Sequence, residues 1–199
     1  MSGDSQKGRI MSAYSVSVFL HIVGALGVFA AIGLEWAGLS NLRRATDTLQ
    51  VREWMRLLAA PRTLGGPSAL LILLSGIYMS ATRWGPQGWI LVALGGMVVI
   101  AAVGGAVGGR RAAAIARALP PEAGPVSPTL RERLEDPALT VSLWTRTALL
   151  FGIVFLMSIR PSWGGALVVM GIALLVGIAA SRPALGAVRR AAPVARSER

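Results

Sequence analysis

The chain has 199 residues, of which 54% are hydrophobic types and only 15% charged, and its mean hydropathy is +0.61. Soluble domains carry about 25% charged residues, so an ordinary water-soluble globule, a disordered chain and a fibrous repeat are excluded, leaving a polytopic helical membrane protein. The formal net charge is +11, with no Cys and a single His. That removes disulfide frames, thiolate metal sites, cysteine nucleophiles and clustered-histidine chemistry.

Spanning about 30 Å of hydrocarbon takes about 20 helical residues. Five apolar runs meet this length, over 14–37, 64–82, 89–109, 139–159 and 163–180. None shows the ten-residue alternation of a barrel strand, and a chain in lipid must satisfy its own backbone. The predicted fold class is therefore all-α, a bundle of five transmembrane helices forming one domain over 1–182, with a basic tail over 183–199. The first run follows Lys7 and Arg9, as a signal peptide would. Its apolar stretch is longer than the 7–15 residues of a signal core, so it is read as a retained helix. Pro67 is expected near the first turn of the second helix, and Asp136-Pro137 is expected to cap and open the fourth.

Arginines near the helix ends give the orientation. The connection after the first run carries Arg43, Arg44, Arg52, Arg56 and Arg62. The connection after the third carries Arg110, Arg111, Arg117, Arg131 and Arg133, with Arg146 entering the fourth helix. The tail adds Arg182, Arg189, Arg190, Arg196 and Arg199, against Lys7, Arg9, Arg83 and Arg160 on the opposite side. Sixteen positive residues against four predict an N-terminus outside and a C-terminus in the cytoplasm of a bacterial inner membrane. The charge lies between apolar runs rather than on a separate domain, so it reads as membrane orientation and contact with anionic lipids, not as nucleic-acid binding. Trp84, Trp89 and Trp163 fall at the expected outer interface, and Trp36, Trp54 and Trp144 near the inner one, as aromatic belts do.

Between the first two runs, 39–60 mixes Leu42, Leu49, Trp54, Met55, Leu57 and Leu58 with charges. It reads as a juxtamembrane amphipathic helix, with Arg43 and Asp47 spaced as an i, i+4 pair. Either it lies on anionic lipid as a linker or it docks a lipid or protein partner. The loop over 119–137 holds Pro120, Pro121, Pro125 and Pro128, which forbid one long helix. A turn or two over 129–135, capped by Ser127, is expected.

Candidate site residues are few. His21, Gly24, Ala25, Val28, Ile32 and Glu35 share one helical face, and ionisable groups in a span usually face the bundle interior and have partners. Glu35 is expected to pair with Arg146. His21 reads either as a packing residue hydrogen-bonded to a neighbouring helix or as the ligand of haem b or copper. In the second case Met97 or Met170 supplies a soft sulfur, with Met79 and Met157 nearer the helix ends. No site made wholly of protein metal ligands is expected, and no nucleophile–base pair is found. Gly104, Gly105, Gly108 and Gly109 form two overlapping small-xxx-small pairs, which suit either packing within the chain or a homodimer seam.

Leu20-His21-Ile22-Val23-Gly24, with Pro67, Leu70, Leu73, Gly76, Ile77 and Tyr78 followed by Trp84 and Trp89, resembles a family of small bacterial predicted integral membrane proteins of unknown function. The resemblance covers roughly 14–110. More distantly, the chain is similar to copper-resistance D-type membrane proteins and to haem-binding protoporphyrinogen oxidases of the J type. Both have a histidine in an early membrane helix, and here only His21 matches that pattern; the further histidines and the arginine-lysine motif are absent. The sequence leads to a membrane protein without a recognisable catalytic site, an accessory or scaffold component of a membrane assembly. It associates with itself or with another membrane protein. The alternatives are a haem- or copper-handling protein using His21, and a small transporter acting as an oligomer.

Overall fold

The computed structural model describes residues 2–182, with side chains over 13–59 and 63–182. The tail expected over 183–199, and the side chains of Lys7 and Arg9, lie outside the described residues. Among the described residues the backbone runs as eight α-helices. They are α1 (Ser2–Arg44), α2 (Thr48–Leu57), α3 (Ala60–Met79), α4 (Gly88–Val103), α5 (Arg110–Ala118), α6 (Pro128–Leu134), α7 (Pro137–Ile159) and α8 (Trp163–Ala180). A wider π turn extends α3 over Ser80–Trp84, and another over Gly104–Gly109 joins α4 to α5 without a break. Among the described residues no strand forms; Asp47 and Pro125 make an isolated antiparallel bridge.

Five stretches are long and apolar enough to cross a membrane: Ala13–Arg44, Thr63–Trp84, Gly88–Ala118, Pro128–Ile159 and Trp163–Ala180. The chain is thus a multi-pass helical protein, and four of these stretches outrun the apolar runs that mark them. Hydropathy marks where lipid is, whereas a helix continues until something stops it. Nothing in 38–44 or 110–118 is a proline, so α1 reaches Arg44 and the third stretch reaches Ala118. Pro67 lies inside α3 rather than at its start, because the helix already begins at Ala60. Both predicted caps in the proline-rich loop form. Ser127 Oγ accepts from the Leu130 N–H, and Asp136 Oδ1 from the Ala138 N–H.

The segment 39–60 is not one helix. It breaks after Arg44, where Thr46 and Asp47 turn to pair with 124–126 and Asp47 Oδ1 accepts from the Gln50 N–H. The expected Arg43–Asp47 helix pair is therefore replaced: the guanidinium of Arg43 donates to the carbonyls of Leu134 and Asp136.

By internal contacts the chain divides into two compact units. Among the described residues, the first holds 2–41 and 53–87. In it α1 and α3 run antiparallel along a seam of small residues. A Cβ on Gly24 would lie 2.8 Å from Ser68 O, and one on Gly27 would lie 2.1 Å from Ser68 Oγ. Glycine is what permits that approach. At one end of the seam the Trp84 indole N–H donates to Tyr14 Oη, and Arg83 stacks over the Tyr14 ring at 5.0 Å.

Among the described residues, the second unit holds 42–52 and 88–182. Here α4 and α8 run parallel and α7 antiparallel to both. A Cβ on Gly88 would meet Trp163, one on Gly96 would meet Met170 and Ile153, and one on Gly177 would meet Thr145 and the Trp144 carbonyl. These registers put Arg110, Arg111, Trp144 and Arg182 toward one end of the unit and Arg160 and Trp163 toward the other. Apolar side chains such as Val98, Phe151, Val168 and Leu175 are more than half exposed. A bundle in water would bury them; a bundle in lipid has no reason to.

Candidate functional site

Two constructions gather polar side chains, one in each unit. In the first, α3 places Ser68, Ile72, Ser75 and Met79 on one stripe at helical spacing, and α1 meets it with Ser17, His21 and Gly24. Ser17 Oγ donates to Ser75 O. Nδ1 of His21 lies 3.1 Å from Ile72 O and 3.1 Å from Ser75 Oγ. A carbonyl can only accept, so the proton sits on Nδ1. The Ser75 hydroxyl donates to Leu71 O at 2.6 Å and accepts from the imidazole. This fixes the tautomer and leaves the lone pair on Nε2. The same second partner, a backbone carbonyl on the far ring nitrogen, orients histidines that ligate metals.

Gly76 lies beneath the ring, where a Cβ would be 3.4 Å from Cε1. Met79 is on the His21-facing stripe of α3, half-buried. Met97 and Met170 belong to the second unit, where Met170 fills the space left by Gly96 and Gly152. Among the described residues no three His, Cys, Asp or Glu side chains cluster as a metal site.

The second construction is a cap at the arginine-rich end of the second unit. It joins 42–52 to α5, the proline-rich loop and α6. The Thr48 N–H donates to Gly124 O at 2.9 Å and the Val126 N–H to Thr46 O at 3.2 Å. The Thr48 hydroxyl donates to Glu122 O and accepts from the Gly124 N–H, both at 3.0 Å. The Arg52 guanidinium donates to the carbonyls of Pro120 and Pro121. That of Arg131 donates to Arg43 O at 2.9 Å and Ala45 O at 2.7 Å, satisfying carbonyls that the end of α1 leaves open. Arg111 pairs with Asp136, whose carbonyl also accepts from Arg43. Leu42, Val51, Ile115, Leu130 and Leu134 are at most 1% exposed, and they lie on the segments that these bonds tie together.

Of the other sequence candidates, Glu35 stands in the first unit and Arg146 in the second. Gly24 packs on Ser68 and Ile72, and Gly104 packs on the Arg146 guanidinium. Gly105 and Gly108 face open space, and Gly109 ends the π turn half-buried. These four glycines form the π turn itself. Sequence reasoning missed Ser75 and Ser68, for which the seven-residue spacing on one face was the available signal. It also missed Thr48, Arg52 and Arg131 as fasteners, for which there was none, since their partners are carbonyls that any residue supplies. Set against models of known protein families, against curated proteins and against solved structures, the chain matches none of them.

Proposed function

We propose that this is a multi-pass protein of a bacterial inner membrane, N-terminus outside and C-terminus in the cytoplasm, that serves as an accessory or scaffold component of a membrane assembly. The observation that carries this reading is the cap. A connection that merely links two spans can stay loose, and ordering each backbone residue costs about 1–2 kcal/mol. This connection is instead fastened by arginine-to-carbonyl bonds and given its own buried apolar side chains. Such a surface suits docking of a neighbouring subunit. The excess of arginine at that end sets the orientation by the positive-inside rule. In native membranes solubilised gently, the wild-type chain should migrate as a defined complex larger than its own mass. The Arg131→Ala/Thr48→Val variant should insert normally but lose that complex. Migration of the wild type as a monomer would sink the proposal.

One observation favours a second reading, a haem- or copper-handling protein. The imidazole of His21 is oriented by Ile72 O with Nε2 left to donate, as an axial ligand requires. Protein purified from haem-replete cells would then show a Soret band near 400–430 nm (roughly where axially ligated haem absorbs), lost in His21→Ala. A colourless protein that also retains no copper would leave His21 as a packing residue.

A further inference from the structure

The third membrane stretch is held at both ends by different partners. On the membrane side, α4 is seated by Gly96 against Met170 and Ile153, and its end by Gly104 against the Arg146 guanidinium. On the cap side, α5 is seated by Arg111 on the Asp136 carboxylate, by Ile115, which is 1% exposed, and by the Ala114 carbonyl, which accepts from Arg133. Between the two holds stands the π turn Gly104–Gly109. An i→i+5 bond encloses one residue more than an α-helical bond, so the turn holds about one residue in excess of a continuous α-helix. Tightening the turn to α geometry, with α4 fixed, gives that residue back: α5 rotates by about 100° and advances by about 1.5 Å. Each place in the cap then passes to the residue one earlier in the sequence.

The residues of α5 suit that exchange at the ion pair and resist it in the core. Arg110, exposed in the observed register, takes the place of Arg111 on Asp136, and the Ala113 carbonyl takes that of Ala114 before Arg133. In the core, Ala114 stands where Ile115 stood, and Ile115 moves to the exposed place of Ala116. No side chain obstructs the turn itself. Four of its six residues are glycine, and a Cβ on Gly105 or Gly108 would meet nothing within 4 Å. We infer that Gly104–Gly109 and the Arg110-Arg111 pair form a one-residue ratchet, in which α5 slips between two registers and keeps an arginine on Asp136 in both. The buried Ile115 holds the observed register. A partner that takes up Ile115 in its exposed place draws the cap into the other. The inference rests on the geometry of the turn and the cap and not on the scaffold role.

The test reads opening of the cap by trypsin cleavage after Arg131 or Arg133, in the full chain in nanodiscs. Ile115→Ala empties a buried place in the observed register and should raise cleavage about a hundred-fold. Adding Ala114→Ile should bring cleavage back to within about five-fold of the wild type, because the slipped register buries the new isoleucine. The arginine that matters should change with it. In the wild-type chain Arg111→Gln should raise cleavage about three-fold and Arg110→Gln should not; in the Ala114→Ile/Ile115→Ala chain the two should trade effects. Deletion of Gly108 should leave the otherwise wild-type cap closed, since a continuous α-helix then puts Ile115 in its place, and should abolish the rescue by Ala114→Ile. A double variant as open as Ile115→Ala alone would overturn the ratchet. So would a rescue that still depends on Arg111, a rescue that survives deletion of Gly108, or a cap opened by that deletion alone. Loss of a native complex with these cleavage patterns intact would strike the scaffold reading and leave the ratchet standing.

Discussion

Leu134→Ala is expected to destabilise the cap by about 3 kcal/mol, the middle of the range for emptying a fully buried leucine site. Leu134 is 0% exposed and sits on α6 between Arg131 and Arg133 on one side and Asp136 on the other. Its loss loosens α6 and with it the anchors of Arg43 and Arg111. The membrane helices should be unaffected, since the packing of α4, α7 and α8 uses none of these side chains. Trypsin cleavage after Arg131 or Arg133 reads the effect directly. If the cap opens and closes faster than it is cut, cleavage follows the open population and should rise about a hundred-fold. An unchanged cleavage rate would mean that the cap is held by its polar bonds alone.

Gly177→Ala should be the more damaging of two nominally identical changes in α8. A methyl at Gly177 would stand 2.7 Å from Thr145 Cα and 3.1 Å from Trp144 O. Backbone cannot swing aside as a flexible side chain can, so α7 and α8 must part, at about 1–3 kcal/mol. Gly171 has nothing within 4 Å of such a methyl, and there alanine should be neutral or slightly stabilising through helix propensity. Thermal midpoints of the two variants in nanodiscs give the comparison. Equal midpoints would mean that α8 does not pack on α7 in this register.

The membrane spans were legible because twenty apolar residues in a row is a signal that needs no partner. The caps at Ser127 and Asp136 were legible for the same reason: each acts on its own next turn. What escaped the sequence is what depends on distant residues. Thr48 gives no sign that its hydroxyl closes on Glu122 and Gly124. Arg43 looked like half of a helix pair with Asp47 until the backbone broke at Ala45 to make room for the bridge to Pro125. The glycines of 104–109 showed small-residue spacing, but not that Gly104 would pack on Arg146. Nothing in their composition announces the π turn that they form. His21 was singled out as a rarity, yet its tautomer is decided by Ile72 and Ser75 on another helix.

The cap also imposes an order on synthesis. Thr48 and its partner Glu122 are 74 residues apart. At roughly 5–20 residues per second, about 4–15 s pass between the addition of Thr48 and that of Glu122. During that time the second and third helical stretches are being made, while Leu42, Ala45 and Val51 stand without the α6 segment that ties them down. A nascent chain halted before residue 120 would hold three membrane stretches and no cap, its apolar side chains bare to whatever protease or chaperone patrols that surface. Closure of the cap is thus a single late event by which a finished chain can be told from an interrupted one.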